Sequence, residues 1–186
     1  MRIVGGRFRG LGLAAVGKGD PGAHLRPTSD RVRESLFNLL INGALGDAVT
    51  DAEVLDLFAG TGALGLEALS RGARFVTFVE NGRVGARLIA ENVAKARAEG
   101  ETRLLRVDAT RLPLAERPAT LIFLDPPYGK GMGARALASA LAGGWIAPGV
   151  VIVWEENAPQ DAPDGFVRLD ERRYGETVLT FLEYAG

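Results

Sequence analysis

Asp56-Leu57-Phe58-Ala59-Gly60-Thr61-Gly62-Ala63-Leu64-Gly65 decides the fold. The stretch leaves an apolar run, residues 54–58, that reads as a buried strand, and enters a helix predicted over residues 63–70. Gly60, Gly62 and Gly65 fill the pattern G-x-G-x-x-G, and Glu80 stands twenty residues after Gly60, at the end of the next predicted strand. A strand, a glycine turn and a helix in that order form half of a nucleotide-binding unit, where glycine permits a tight turn and close approach of a ligand.

Working toward the C-terminus, strands are expected at 74–79, 103–107, 119–124 and 150–155, with helices at 84–98 and 134–141 between them. Residues 166–174 and 177–184, joined at Gly175, read as a closing hairpin. The alternation predicts an α/β, Rossmann-like parallel sheet with helices on both faces. Toward the N-terminus, residues 2–16 suggest a small β-hairpin broken at Gly5-Gly6, and Pro27-Thr28-Ser29-Asp30 starts a helix. The division expected is an N-terminal basic extension, residues 1–50, and a catalytic domain, residues 51–186.

The acids around the glycine loop choose among adenosine ligands. Asp56 would repel a pyrophosphate but can accept a hydrogen bond from a cationic α-amino group, which S-adenosylmethionine has. Glu80 can take both ribose hydroxyls, and Asp108-Ala109 can receive an adenine through a carboxylate and a backbone amide. A nicotinamide dehydrogenase is disfavoured by Asp56. Gly12 to Lys18 imitates a phosphate loop, but Gly19 offers no hydroxyl to magnesium and no helix follows.

Leu121-Ile122-Phe123-Leu124-Asp125-Pro126-Pro127-Tyr128 carries the chemistry. An apolar strand runs into a carboxylate, two prolines fix the backbone, and an aromatic ring follows. An exocyclic amine on a nucleobase is a poor nucleophile because its lone pair is conjugated into the ring. The Asp125 carboxylate and the Pro126 carbonyl can accept its N–H bonds and turn the lone pair toward a methyl carbon. Tyr128 can stack on a base drawn out of its helix or loop. Gly129-Lys130-Gly131 reads as a flexible lid.

Charge and composition narrow the class. Residues 1–33 carry seven basic side chains, six of them Arg, against two acidic ones, whereas the remainder carries 15 against 21. A basic arm on an acidic body suggests contact with a polyanion. The chain has no Cys and one His, which excludes disulfides and thiolate metal sites and forces any His-based site through His24, read as a loop residue. No metal is expected. No apolar run reaches the ~20 residues of a membrane span, so a cytoplasmic protein is expected. Trp145 and Trp154 read as packing residues, and Glu155-Glu156 as a solvated strand end.

Asp125-Pro-Pro-Tyr128 with Asp56-Leu-Phe-Ala-Gly-Thr-Gly62 upstream resembles class I S-adenosylmethionine-dependent amino-methyltransferases, a group that shares these motifs among adenine, cytosine and guanine enzymes. Arg2-Ile-Val-Gly-Gly-Arg-Phe-Arg-Gly10, Arg26-Pro-Thr-Ser-Asp-Arg-Val-Arg-Glu-Ser-Leu-Phe-Asn38 and Gly60-Thr-Gly-Ala-Leu-Gly-Leu-Glu-Ala-Leu-Ser-Arg-Gly72 look like the RsmD family. These are bacterial methyltransferases for a guanine of 16S ribosomal RNA, the one usually numbered 966. The resemblance implies a seven-stranded sheet whose last strand is antiparallel. It places S-adenosylmethionine against Phe58, Gly60, Gly62, Glu80, Asn81, Asp108 and Ala109, to which the candidate set adds Asp56, Ala59, Thr61 and Asp125, and makes Asp125, Pro126, Pro127 and Tyr128 the catalytic loop. It assigns RNA contact to Arg2, Arg7, Arg9, Arg26, Thr28, Arg31 and Arg33, in a monomer acting on an assembling or assembled small subunit. Asn81-Gly82-Arg83 departs from the family pattern on the adenine side. The alternatives are a DNA adenine-N6 methyltransferase, which the roughly 50 residues outside the core leave little room for, and a non-catalytic RNA-binding assembly factor.

Overall fold

The computed structural model describes residues 1–17 and 28–186; Lys18, His24 and Arg26 lie outside them. Seven strands form one sheet: β1 (Glu53–Leu57), β2 (Phe75–Val79), β3 (Thr102–Leu105), β4 (Ala119–Leu124), β5 (Ile146–Glu156), β6 (Phe166–Tyr174) and β7 (Thr177–Tyr184). Their spatial order is β3-β2-β1-β4-β5-β7-β6. The pairs from β3 to β5 are parallel, while β7 runs antiparallel to both β5 and β6, as the closing hairpin requires. The reversal of strand order between β1 and β4 opens a crevice at the carboxyl edge, the place where such sheets bind ligands.

The two faces of the sheet are covered unequally. Helices α1 (Asp30–Asn42), α2 (Ala63–Ser70) and α3 (Arg83–Ala96) pack on one face against Val54, Val76, Phe78, Leu121, Phe123, Val153 and Phe181. Helix α4 (Met132–Ala142) covers the other, with Leu55, Leu57, Ile122, Leu124, Ile152 and Trp154. Alternate residues of β1 and β4 therefore feed opposite cores, which explains why both strands carry apolar residues on both faces, with Asp56 the buried exception in β1. Residues 1–50 share the first core through Ile3, Leu13, Leu36, Phe37, Leu40 and Val49. Ser29 caps α1 by accepting the Val32 N–H at 3.3 Å.

Four expectations about elements are corrected. The N-terminal hairpin is a single antiparallel bridge, Arg2 to Gly12, around turns. The backbone donors of this segment are engaged elsewhere: Val4 and Gly5 donate to Glu67 at 2.9 Å, Arg7 to the Ser70 carbonyl at 2.8 Å, and Phe8 to Ser70 Oγ at 2.8 Å. Phe58 falls outside β1 because its φ of 59° leaves the extended region. Helix α3 stops at Ala96 because Arg97 turns left-handed at φ 53°. Strand β5 begins at Ile146 and absorbs Pro148 and Gly149 where its register with β4 shifts, a bulge that a Pro-Gly pair disguises as a strand start.

Candidate active site

A cavity of about 780 Å³ opens at the carboxyl edge of the sheet, walled by the glycine loop, the ends of β2 and β3, and the loop after β4. All eleven residues assigned to the cofactor lie on its wall except Gly62, which stands behind it as the residue preceding α2. Gly60 and Gly62 take φ of 59° and 79°, a region open to glycine at no steric cost, and they bring the start of α2 to the cavity. Phe58 adopts a similar conformation without that freedom, so the turn holds local strain at the mouth.

The three acids are set by backbone amides. Asp56 is 2% exposed and accepts the Gly65 N–H at 2.9 Å. A Cβ at Gly65 would lie 3.0 Å from that carboxylate oxygen and 2.5 Å from the Phe78 ring, so this glycine serves close approach. Burial pushes the Asp56 carboxyl up to about 8, the Gly65 amide opposes this, and the Glu80 carboxylate adds to it. Glu80 accepts Gly60 N–H at 2.9 Å with one oxygen and Gly82 N–H at 2.7 Å with the other. This bracing fixes the carboxylate while each oxygen keeps a lone pair for a hydroxyl. Asp108 Oδ1 accepts both the amide and the hydroxyl of Thr110 at 2.8 Å, and these bonds hold its carboxyl below the usual range. None of the groups that shift Asp56 is a cation, so without ligand its carboxyl keeps its proton up to about pH 8.

Asp125 follows β4 directly and its amide reaches the Leu57 carbonyl at 3.4 Å. Burial, then the neighbouring Glu155, Asp56 and Glu156 carboxylates, raise its carboxyl well above the ordinary value. Pro126 is buried, Pro127 exposed and Tyr128 half-buried. The structure thus brings the whole Asp125–Tyr128 loop beside Asp56, Glu80 and Asp108, with Lys130 on the same wall.

Two readings fail here. Glu155 and Glu156 are no solvated strand end: they are 6% and 5% exposed. The Glu155 carboxylate accepts from Thr28 Oγ1 at 2.9 Å and lies 3.5 Å from the Tyr128 hydroxyl, and burial raises its carboxyl. The only signal in the sequence is its place at the end of β5, next to β4, where a charge pair looks the same whether solvated or buried. Arg33, assigned to RNA, is fully buried; it donates to the Arg2 carbonyl at 2.7 Å and pairs with Asp30 and Glu67. Its helical position falls on the face that packs beside Leu36 and Phe37. The other described candidates are dispersed. Thr28 is on the cavity wall, Arg2 is paired with Asp30 at 3.7 Å, Arg9 and Arg31 are exposed, and Arg7 is bonded to Glu101 at 2.7 Å. Trp145 is a packing residue whose Nε1 donates to the Pro113 carbonyl at 2.7 Å, and Trp154 lies against Gly133.

The family profile described as "Conserved hypothetical protein 95" matches residues 1–183. The chain belongs to this family. It is similar to "Ribosomal RNA small subunit methyltransferase D" of Escherichia coli K12, 38% identical over 165 residues, which are 88% of this chain and 78% of that protein. The Haemophilus influenzae protein of the same name is 32% identical over 181 residues, 94% of this chain and 89% of that one. A solved structure, "Putative methyltransferase yhhF from Escherichia coli", superposes with a TM-score of 0.81 at 32% identity, covering 100% of this chain and 98% of that one. The family member described here is a methyltransferase with the Rossmann-like class I fold. Among the described residues no helix is long and apolar enough to cross a membrane, and no cluster of acids and His could hold a metal ion.

Proposed function

We propose that the protein methylates the exocyclic N2 amine of a guanine in the RNA of the small ribosomal subunit, the position usually numbered 966, with S-adenosylmethionine as cofactor. The observation that carries this reading is the Asp125–Tyr128 loop opening onto the same cavity as Asp56, Glu80 and Asp108. The relatives' names, which speak of small-subunit ribosomal RNA, support the substrate class. The cofactor fits the donor set: Asp56 faces an ammonium, Glu80 a ribose diol, and Asp108 with the Ala109 amide an adenine edge. When bound, S-adenosylmethionine supplies an electrophilic methyl carbon.

The chain's own residues do the rest. The Asp125 carboxylate and the Pro126 carbonyl accept the N–H bonds of the amine and orient its lone pair. As the N–C bond forms, the nitrogen gives up one proton, and the raised Asp125 carboxyl is placed to hold it. Tyr128 stacks on the extruded base. Positioning and electrostatics supply most of the acceleration, because no strong base lies in the site. The protein acts as a monomer in the cytoplasm, with the 1–50 extension facing RNA.

The test is transfer from labelled S-adenosylmethionine to protein-free 16S RNA, partly assembled and mature small subunits, and duplex DNA, followed by digestion to nucleosides. N2-methylguanosine in RNA is expected. N6-methyladenine in DNA overturns the reading. Asp125→Ala abolishes transfer while cofactor binding, followed by calorimetry, survives; a nearly normal rate removes Asp125 from the chemistry.

A further inference from the structure

Five neighbouring strands bring an acid to the carboxyl edge of the sheet, and β5 ends in two, of which Glu155 and not Glu156 follows in register beside Asp125. In spatial order these are Asp108 after β3, Glu80 after β2, Asp56 on β1, Asp125 after β4 and Glu155 on β5. The first three serve the cofactor and the fourth the reacting amine. Glu155 is left without a task, and a carboxylate that is 6% exposed is costly to keep for packing alone.

Its surroundings indicate what it faces. Leu124 pairs with Trp154, so Asp125 and Glu155 are the next residues in register and share the opposite face of the sheet. Adjacent strands hold them about 5 Å apart at the backbone. Thr28 Oγ1 donates to Glu155 Oε2 at 2.9 Å, which fixes the carboxylate and leaves Oε1 toward Tyr128. Asp125 lines the main cavity and Glu155 a second one of about 270 Å³, and Thr28 and Tyr128 line both, where the two meet. Two carboxyls side by side, beside an aromatic ring, are an acceptor pair for two neighbouring donors on the edge of a base.

Only one of the amine-bearing bases offers such a pair. In guanine the N2 amine adjoins N1–H, a second donor. In adenine the N6 amine adjoins an unprotonated N1, and in cytosine the N4 amine adjoins an unprotonated N3. Either would set a lone pair against the Glu155 oxygen. We propose that Glu155 is the specificity-determining residue of the site, accepting the N1–H of the target guanine while Asp125 accepts from its N2 amine. This rests on the guanine reading above and explains how a loop shared with adenine enzymes is confined to guanine.

The test uses a 16S RNA fragment that the wild-type enzyme methylates, with either guanine or 2-aminopurine at the target position. 2-Aminopurine keeps the amine that takes the methyl group but lacks the N1 proton. Wild-type kcat/KM favours guanine by roughly 10³-fold, since a site built to bond a donor strongly rejects its absence. In Glu155→Gln the side-chain amide can donate to the bare N1, and the preference falls to within about tenfold. Glu155→Asp keeps the carboxylate and retains most of the preference at a lower rate. S-adenosylhomocysteine binding, measured on each variant, separates misfolding from altered selectivity. A guanine preference unchanged in Glu155→Gln, with N2-methylguanosine still the wild-type product, overturns this proposal and leaves the parent reading intact. A wild-type product other than N2-methylguanosine overturns both.

Discussion

Asp56 shows how burial gives a single side chain a pH signature. Without ligand, the folded chain releases its proton near 8 and the unfolded chain near 4, so this group lowers stability as pH rises between those values. A cationic amino group beside it reverses the balance and favours the carboxylate. Cofactor binding below pH 8 should therefore release one proton. Affinity for S-adenosylhomocysteine should rise about tenfold per unit from pH 5.5 to 7.5 and level off near 8, where the ligand amine begins to lose its own charge. Titration calorimetry in buffers of different ionisation enthalpy reads the released proton directly. Asp56→Asn should bind more weakly, with no proton release and a flat profile; a profile still rising tenfold per unit in that variant would move the titrating group elsewhere.

Among the elements, the N-terminal segment behaves least as its sequence suggests, and Glu67 is the reason. This buried carboxylate on α2 accepts the Val4 and Gly5 amides and Arg71 Nε, each at 2.9 Å, with Arg33 Nη1 at 3.6 Å. It is the latch between the extension and the sheet. Removing it orphans two amides and Arg71 Nε and takes a buried countercharge from Arg33, whose Nε and Nη1 already lack hydrogen bonds. Glu67→Ala should cost about 3–5 kcal/mol, the usual effect of breaking a buried pair. For a chain of this size that is roughly 10 °C in Tm. Glu67→Gln, which still accepts the amides, should recover part of the loss, and a Tm within about 2 °C of wild type for the alanine variant would deny the latch. The elements themselves were legible from strict periodicity: β4, α2, β6 and β7 fall where the apolar runs and turn residues put them. That Asp56, Glu80 and Asp108 gather on one cavity wall was legible because strand ends and glycines locate the carboxyl edge. The arm and Glu155 were not, because their settings depend on partners more than sixty residues away, Val4 with Glu67 and Thr28 with Glu155. No local pattern encodes such a pairing.

At the scale of the whole molecule, the question is which charges meet the nucleic acid. Among the described residues the basic side chains of the arm do not form one patch. Arg2 pairs with Asp30 and Arg31 is exposed, both at the start of α1, whereas Arg7 is tied to Ser70 at the far end of α2 and to Glu101 just before β3. Those partners mark the amino edge of the sheet, about 17 Å from the site across a five-residue strand. Lys130 and Arg83 line the cavity itself, and Arg111 and Arg135 act on Asp108 beside it. A short stem-loop whose base enters the cavity reaches the second set but not Arg7 or Arg9. An RNA large enough to wrap the protein reaches both. Lys130→Glu with Arg135→Glu should therefore weaken binding of a short stem-loop and lower its salt slope by about 1.4, some 0.7 for each single-strand phosphate that is no longer neutralised. Arg7→Glu with Arg9→Glu should leave the stem-loop slope unchanged and lower that for full 16S RNA by a similar amount. Binding isotherms over a range of salt distinguish the cases. If the Arg7 and Arg9 pair alters the stem-loop slope as strongly as the cavity pair, the substrate approaches across the α2 side of the protein, not over the carboxyl edge.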